Sequence, residues 1–487
     1  MKPIMIQETG SDAGKTIMVA GLCRLFANRG LRVAPFKAQN MSLNSFVTLD
    51  GGEIARATAV QAAAARQEPS VHMNPLLLKP KSDDVAQLII HGKPVRDVSA
   101  AEYFIAPEHL QQTKLDAITA SIAYLRQHYD LIIAEGAGSC AEPNLRQLDV
   151  VNMGAAHLLG ARVFVVGDID RGGVFAAFLG SLDIMRSTQP DDVGLVEGFL
   201  INKFRGDPAV LQPALDFMTA HCPVPIAGVL PYLADLRLEE EDRVREHRVS
   251  HPEVDIAVLY LPHISNANDF DFLAEEANVQ LRFVRSAAEL GVPDAVIIPG
   301  TKTTTWDLDH IRRTGLALAV ERLVGRVPVI GICGGYQMLG RTLHDPDRVE
   351  SELGTIDGLG CLDFDVSFQP HKTLARRIYT PTRDNPFAAA GTIAGYEIHT
   401  GDVRYGTCLP AFVYDGGVDG VVDPSRLLFG SFIHDIFSNP GFTRAFVDLL
   451  RRHKGLPPLT GPLIRARNRM DESYERLAAE LDRLAIF

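Results

Sequence analysis

Short apolar runs alternate with longer amphipathic segments through the first half of the chain. The first run, "KPIMIQ", precedes a segment from Lys15 to Arg29 whose apolar side chains recur at helical spacing, and Gly30 stands where a helix C-cap is expected. Further apolar runs cover residues 31–37, 131–138, 162–170, 197–204 and 224–231. Their composition is typical of buried parallel strands, so we predict an α/β domain with a parallel sheet.

A second α/β pattern follows a charged segment. Residues 236–252 are rich in charge and poor in apolar side chains, which favours a linker. Apolar runs resume at 254–262 and continue at 295–302, 327–340 and 427–437. We therefore predict an N-terminal domain over residues 1–235, a second α/β domain over 253–455 and a charged helical tail over 456–487.

Composition narrows the class of protein. The 487 residues are 46% hydrophobic and 22% charged, as in ordinary soluble proteins of two or three domains. A net charge of −12 argues against general affinity for nucleic acid or anionic membranes. No apolar run reaches the ~18 residues of a membrane span. The N-terminus lacks signal-peptide features and the six cysteines show no CxxC spacing, so we expect a cytoplasmic protein with reduced thiols.

The loop after the first strand predicts a nucleotide site. "QETGSDAGKT" (7–16) ends in the GK[ST] half of a phosphate-binding loop, although Thr9 stands where the usual spacing requires glycine, and Glu8 precedes it. Lys15 would contact the β and γ phosphate oxygens of ATP, and the Thr16 hydroxyl would bind Mg²⁺. The remaining predicted ATP-binding positions in this loop are Gly10, Ser11, Asp12, Ala13 and Gly14.

Two later strand ends add candidate ligands to this site. Glu135 ends the run 131–138, and the glycines that follow let a ligand approach closely, so Glu135 is a candidate Mg²⁺ ligand. Asn202 follows another strand, where it could read a nucleotide base, and a turn-capping role fits the spacing equally well. Partitioning ATPases carry a signature lysine at the position of Gly10, and its absence argues against that class.

The stretch "VPVIGICGGYQMLG" predicts a nucleophile elbow. Cys333 lies between glycines where an apolar strand gives way to a helix, whose N-terminus lowers a thiol pKa. The N–H of Gly334 is placed to form part of an oxyanion hole, and Gly300 in the "PGTK" loop is a second candidate donor. His434, expected at the end of a late apolar strand, is the preferred base, and His399 in "GYEIHTG" is the competitor, otherwise structural or substrate-facing.

A thiol nucleophile and an ATP site in one chain indicate a division of labour. One site would cleave an amide to release ammonia, and the other would activate a carboxylate as an acyl phosphate for ammonia to attack.

Several long motifs resemble a known family. "FKAQNMSLNSFVTLDGGEIARA" (36–57), "HMNPLLLKP" (72–80), "DIDRGGVFA" (168–176) and "HISNANDFD" (263–271), together with the cysteine elbow, resemble the cobyric acid synthases, glutamine-dependent ligases of the cobalamin pathway. The resemblance runs from residue 1 to about 450. It implies a dethiobiotin synthetase-like P-loop domain, a class I glutamine amidotransferase domain, and amidation of the b, d, e and g carboxylates of a corrin a,c-diamide.

The resemblance also implies roles for single residues. Cys333 matches the glutaminase nucleophile and His434 its base, and Glu135 matches an acidic metal ligand. The other implied roles are phosphate and Mg²⁺ contacts for Lys15 and Thr16, a second Mg²⁺ ligand for Asp50, a substrate-side cation for Lys37 and base recognition for Asn202. The implied partners are small molecules only, namely the corrinoid, glutamine and ATP with Mg²⁺.

Three positions depart from the family pattern. Ile436 stands where many amidotransferases complete a triad with Glu, so another group or the backbone must orient His434. Asp435 stands where a small residue is expected, and Glu8 stands where the longer-spaced loop has glycine.

Two alternative functions remain open from the sequence. The first is the sister synthase that amidates the a and c positions, against which "QNMSLNSFVT" and "HMNPLLLKP" count. The second is a non-catalytic, ATP-binding regulator that senses glutamine. The intact pair of Cys333 and His434 counts against a regulator, and Glu8 counts slightly for it.

Overall fold

The computed structural model describes residues 1–82, 84–105, 107–234, 236–238, 246–463 and 466–487. The chain divides into two units. Unit 1 comprises Met1–Ser42, Gly52–Glu240 and Asn468–Phe487, and unit 2 comprises Leu43–Gly51 and Glu241–Arg467. Residues 239–245 of the predicted linker lie outside the described residues.

Twelve strands and seven α-helices are described up to residue 238. The strands are β1 (Ile4–Glu8), β2 (Val33–Phe36), β3 (Gln39–Met41), β4 (Ser45–Val47), β5 (Glu53–Ala55), β6 (Leu76–Pro80), β7 (Val85–Ile90), β8 (Lys93–Ser99), β9 (Leu131–Ser139), β10 (Arg162–Asp168), β11 (Val196–Phe204) and β12 (Ile226–Pro231). The helices are α1 (Lys15–Asn28), α2 (Arg56–Ala64), α3 (Ala100–Phe104), α4 (Glu108–His128), α5 (Met153–Leu159), α6 (Val174–Thr188) and α7 (Pro208–His221).

Eleven strands and six α-helices are described from residue 246 onward. The strands are β13 (Val254–Leu259), β14 (Val279–Val284), β15 (Ala295–Ile298), β16 (Val329–Ile332), β17 (Thr342–His344), β18 (Ile356–Asp357), β19 (Phe364–Pro381), β20 (Ile393–Tyr405), β21 (Leu409–Tyr414), β22 (Gly417–Asp423) and β23 (Leu428–Ser431). The helices are α8 (Ala287–Leu290), α9 (Thr304–Arg313), α10 (Leu316–Glu321), α11 (Gly334–Met338), α12 (Pro440–His453) and α13 (Ala466–Arg483).

Unit 1 is built on a six-stranded parallel sheet with the order β12-β11-β10-β1-β9-β2. Its strands are apolar on both faces because helices cover both sides, as expected for a parallel sheet. On β1, Met5 packs into one core, whereas Ile4 and Ile6 pack into another. The predicted α/β class with a parallel sheet in the first half is confirmed.

The C-terminal helix belongs to unit 1. Tyr474, Leu477, Ala478 and Leu481 recur at helical spacing along α13 and pack into the same core as Met18 and Leu22 of α1. A separate four-stranded sheet, β3-β6-β7-β8, completes unit 1. The predicted tail is therefore part of a unit whose other segments lie hundreds of residues earlier in the chain.

Unit 2 contains an eleven-stranded mixed sheet. Strands β14, β13, β15, β16 and β23 run parallel, and β22, β21 and β19 continue the sheet antiparallel. Strand β19 also forms a long antiparallel hairpin with β20. The carboxyl ends of β15, β16 and β23 lie side by side, which brings the loops after them together. No helix among the described residues is long and apolar enough to cross a membrane.

Candidate active sites

The loop after β1 has the backbone of a phosphate-binding loop. The N–H of Thr9 donates to the carbonyl of Val166 at 3.0 Å, which fixes the start of the loop to β10. Asp12 and Gly14 adopt positive φ angles of 68° and 111°, and α1 begins at the next residue, Lys15. Backbone N–H groups of such a loop and of a helix N-terminus form a binding site for phosphate.

Side chains from the end of β11 support this loop. The side-chain amide of Asn202 donates to the carbonyl of Ala13 at 2.8 Å. The ammonium of Lys203 donates to the carbonyl of Asp12 and to the Asp168 carboxylate, each at 2.7 Å. Asn202 is thus in contact with the loop backbone, and its predicted role in reading a base stays a prediction. From the sequence, Lys203 is a candidate beside Asn202 for reading a base, and that role likewise stays a prediction. Asp168 follows an apolar run but was assigned no role from the sequence.

Two predicted site residues, Thr16 and Lys37, contact a third, the buried carboxylate of Glu135. Glu135 accepts hydrogen bonds from the Thr16 hydroxyl at 2.8 Å, from the Lys37 ammonium at 3.1 Å and from the side-chain amide of Gln61. Glu135 and Lys37 are both buried. The side chains of Thr16, Lys37 and Glu135 therefore lie together, and their roles in binding metal and substrate stay predictions.

Asp50 has a different position. It belongs to unit 2, where its carboxylate accepts a hydrogen bond from the Thr48 hydroxyl at 2.5 Å. Its role as a second metal ligand stays a prediction.

Glu8 pairs with the loop lysine. The Lys15 ammonium lies 2.5 Å from Oε1 of Glu8, and both side chains are buried. Burial raises the pKa of Glu8, although the adjacent Lys15 lowers it. Oε2 of Glu8 is buried without a hydrogen-bond partner in the described part of the chain. Glu8 therefore forms an ion pair with the same ammonium, that of Lys15, that the nucleotide phosphates would need to contact.

Cys333 lies at a strained turn between β16 and α11. Its φ and ψ angles are 50° and −109°, outside the regions that non-glycine residues favour. A Cβ on Gly331 would lie 2.6 Å from the carbonyl oxygen of Gly335, and a Cβ on Gly335 would clash with the carbonyl of Ile298. Glycine at both positions allows the turn, as a nucleophile elbow requires.

His434 lies beyond the strand that was predicted to carry it. Strand β23 ends at Ser431, and His434 instead exchanges two backbone hydrogen bonds with Tyr396 of β20. The Tyr396 ring also stacks on the imidazole, with ring centroids 5.4 Å apart. Backbone pairing and stacking together fix the position of the imidazole.

Asp269 orients His434. Its Oδ2 lies 2.6 Å from Nδ1 of His434, and its Oδ1 accepts from the N–H of Asp435 at 3.1 Å. Burial disfavours the charged imidazole, but Asp269 and the sulfur of Cys333 attract it and raise the pKa of His434 to about 10. The structure therefore holds a histidine oriented by a carboxylate beside the candidate cysteine nucleophile, as a general base requires.

The orienting carboxylate was not found from the sequence. Ile436 correctly indicated that the usual Glu is missing, but no spacing links Asp269 to a histidine 165 residues later. Its motif, "HISNANDFD", is informative in the sequence only through its resemblance to the family. The motif predicts neither a metal site nor a strand. The only signal in the sequence that could have pointed to Asp269 as the group orienting His434 is that the motif contains a carboxylate.

The two predicted oxyanion glycines lie beside the cysteine and histidine. A Cβ on Gly300 would lie 3.1 Å from Cε1 of His434, and one on Gly334 would lie 3.1 Å from the backbone nitrogen of Thr301. The loop after β15 and the elbow are thus adjacent. The donation of their N–H groups to an oxyanion stays a prediction.

His399 has other partners. Its Nδ1 lies 2.9 Å from the carbonyl of Gly401, and its ring stacks on Phe432 with centroids 3.7 Å apart. The geometry around Cys333 and Asp269 favours His434 over His399 as the base.

Comparison with known proteins assigns both halves of the chain. The family model of the CobQ/CobB/MinD/ParA nucleotide binding domain matches residues 4–244, and that of the CobB/CobQ-like glutamine amidotransferase domain matches residues 255–442. These matches confirm the predicted fold class of a P-loop domain followed by a glutamine amidotransferase domain.

Similarity to whole proteins extends over nearly the full length. The cobyric acid synthase of Pelotomaculum thermopropionicum is 46% identical, over 99% of this chain and 93% of its own length. The cobyric acid synthase of Sorangium cellulosum is 45% identical, over 99% of this chain and 97% of its own length. The cobyric acid synthase of Klebsiella pneumoniae is 44% identical, over 98% of this chain and 94% of its own length. The chain belongs to the cobyric acid synthase family, which comprises glutamine- and ATP-dependent ligases of cobalamin biosynthesis.

Proposed function

We propose that this chain amidates the b, d, e and g side-chain carboxylates of a cobyrinic acid a,c-diamide to give cobyric acid. The observation that carries the proposal is the buried arrangement of Cys333, His434 and Asp269 in a chain that also holds an intact GKT loop. One site supplies ammonia and the other supplies an activated carboxylate. Because ATP and glutamine are metabolites of the cell interior, we propose that the protein acts in the cytoplasm.

The glutaminase half begins with Cys333. Asp269 engages Nδ1 of His434, so Nε2 serves the thiol. The thiolate attacks the glutamine carboxamide carbon, and the oxyanion that forms is stabilised by the N–H groups of Gly334 and Gly300. The C–N bond breaks as His434 gives its proton to the leaving nitrogen. Water, deprotonated by His434, then hydrolyses the thioester to release glutamate.

The synthetase half uses the phosphate-binding loop. Residues 10–14 and the N-terminus of α1 hold the ATP phosphates, and Lys15 exchanges Glu8 for the β and γ oxygens. A substrate carboxylate oxygen attacks the γ phosphorus to form an acyl phosphate and ADP. Ammonia then attacks the acyl carbon and phosphate leaves.

The residues around Glu135 fit Mg²⁺. A carboxylate and a hydroxyl 2.8 Å apart are hard oxygen ligands, and phosphate oxygens and water would complete the coordination. When bound, Mg²⁺ would neutralise charge on the transferring phosphoryl group. Lys37, whose ammonium donates to Glu135 at 3.1 Å, would bind the substrate carboxylate.

Mass spectrometry tests the proposal. Cobyrinic and hydrogenobyrinic acid a,c-diamides are incubated with ATP, Mg²⁺ and glutamine, and we expect up to four successive replacements of OH by NH₂. Turnover of the unamidated acid only as far as the diamide would indicate the sister synthase instead. An absence of ATP-dependent change on every corrinoid would indicate a regulator.

A further inference from the structure

A cavity in unit 1 lies beside the phosphate-binding loop. It has a volume of about 420 Å³ and is lined by Ser11 of that loop, by Gly138 at the end of β9, and by Gln39, Lys114 and Asn152. This volume lies at the low end of ligand-binding cavities, which span roughly 300–1,000 Å³. It therefore suits one edge of a large ligand better than a whole corrin ring.

Lys114 is an unusual residue for a cavity wall. It lies on α4, and only 2% of its surface is exposed. Its ammonium donates to the carbonyl of Tyr103 at 3.2 Å and lies 4.3 Å from the centroid of the Tyr103 ring. Within the described part of the chain it has no carboxylate partner. A buried ammonium without a counter-ion is costly, and a lysine of this kind is a candidate site for an anionic ligand.

The other charged groups around the cavity are already engaged or exposed. Arg146 forms a two-pronged ion pair with Asp192 at 2.5 and 2.6 Å. Asp149 accepts hydrogen bonds from three backbone N–H groups. Glu142 is exposed. Lys114 is thus the cation of this cavity whose charge the described residues leave uncompensated.

Burial lowers the pKa of Lys114 to about 8, so at neutral pH the Lys114 amine is protonated in most molecules. The Tyr103 hydroxyl donates to Oε1 of Gln39 at 2.6 Å, which fixes the ring under the ammonium. The cation is therefore held in one position and can receive an anion without rearrangement.

We propose that Lys114 anchors a carboxylate side chain of the corrinoid substrate other than the one being amidated. This inference rests on the proposed function, which supplies a ligand with several carboxylates around one ring. A reacting carboxylate would lie at the centre formed by Thr16, Lys37 and Glu135, and a second would pair with Lys114. Two fixed points would orient the ring and select the side chain that reaches the γ phosphate.

The test compares three variants of the full-length protein. Lys114→Met removes the charge at similar length, Lys114→Arg keeps it, and Lys93→Met removes an exposed lysine of the same unit as a control. Equilibrium dialysis with cobyrinic acid a,c-diamide, followed by its visible absorption, gives the corrinoid Kd. Titration calorimetry gives the Kd of ATP, and thermal unfolding reports stability.

We expect Lys114→Met to raise the corrinoid Kd roughly tenfold or more and to leave the Kd of ATP unchanged. Its unfolding midpoint should be no lower than that of the wild type, because a buried charge without a counter-ion is lost. Lys114→Arg should recover part of the affinity, and Lys93→Met should bind as the wild type does. The fully methyl-esterified corrinoid should bind wild type and Lys114→Met equally.

Three results would overturn the inference. An unchanged corrinoid Kd in Lys114→Met would show that no carboxylate binds there. A selective rise in the Kd of ATP would assign the cation to the nucleotide. Lys114 would be purely structural if Lys114→Met lost affinity for the corrinoid and for ATP equally and had a lowered unfolding midpoint, and if Lys114→Arg restored none of these. If the wild type itself neither binds nor amidates any corrinoid, the proposed function fails and this inference fails with it.

Discussion

At the scale of single residues, Asp269 contacts the imidazole of His434, although it lies in a distant motif. In many amidotransferases a glutamate two residues after the histidine makes this contact. Ile436 cannot orient an imidazole, and Asp269 contacts His434 instead at 2.6 Å. Because the pair is buried, the interaction is little screened by water and is sensitive to the loss of one charge.

Replacing Asp269 with asparagine tests this interaction. We expect glutaminase kcat to fall by roughly 100-fold or more, because the imidazole loses its orientation and its charge partner. The alkaline limb of the pH profile should also move to lower pH, because Asp269 helps to raise the pKa of His434 from 6.5 to about 10. Asp415→Asn, in the exposed turn after β21, is the control. An unchanged pH profile would contradict the role of Asp269.

The same pair contributes to stability with a definite sign. The folded-state pKa of His434 lies above its ordinary value, so the stabilisation is fully present below pH 6.5 and is lost as the pH rises toward 10. Urea unfolding of Asp269→Asn across this range should show a smaller dependence of unfolding free energy on pH than the wild type.

Glu8 offers a second test with a single residue. Its carboxylate holds Lys15 at 2.5 Å and must give up that cation when phosphates bind. Replacing Glu8 with glycine should therefore lower the Kd of ATP, by roughly tenfold, as a competing charge is removed. Calorimetric titration measures the change, and Glu197→Gln on exposed β11 surface serves as the control. Equal affinities of Glu8→Gly and wild type would refute the competition.

At the scale of elements, the apolar runs located the strands of the parallel sheet, because a strand buried on both faces must be apolar along its whole length. The helix after the phosphate-binding loop was also located. The hairpin of β19 and β20 was not, since its half-exposed strands carry many charged residues. Helix α13 was recognised as a helix, but amphipathicity alone does not say which surface receives its apolar face.

The packing of α13 can be tested at one side chain. Leu477 is 2% exposed and packs in the core shared with α1, and a Cβ on Gly21 would meet it at 3.0 Å. We expect Leu477→Ala to destabilise unit 1 by about 2–4 kcal/mol, through lost burial and the cavity left behind. Urea unfolding followed by circular dichroism measures this change. Glu472→Ala, exposed on the same helix, should remain within about 0.5 kcal/mol of the wild type, and an equal effect of both would contradict the packing.

At the scale of the whole molecule, two different chemistries reside in two units. Replacing Cys333 with alanine should abolish glutamine-supported amidation and leave ammonia-supported amidation near normal, because the nucleophile is needed only to release ammonia. Coupled assays with glutamine or ammonium chloride as the nitrogen source make the comparison. Equal loss with both sources would mean that the division into two sites is wrong.

The converse variant is Lys15→Ala. It should remove amidation with either nitrogen source while basal glutaminase survives, since the phosphate contacts are lost and Cys333 is untouched. Because this change leaves Glu8 as a buried charge without its partner, Glu8→Gln is combined with it as a second form of the test. Loss of glutaminase in both forms would contradict independent chemistry.

The two α/β halves, the phosphate-binding loop and the cysteine elbow could all be predicted from the sequence. Each is a local pattern in which neighbouring residues carry the information, such as the glycines that permit the turn at Cys333. The contacts of Asp269 with His434, of Glu8 with Lys15 and of α13 with α1 could be recognised only in the folded structure. These depend on distances between residues that are far apart in the chain or on burial, which removes water and makes a charge seek a partner.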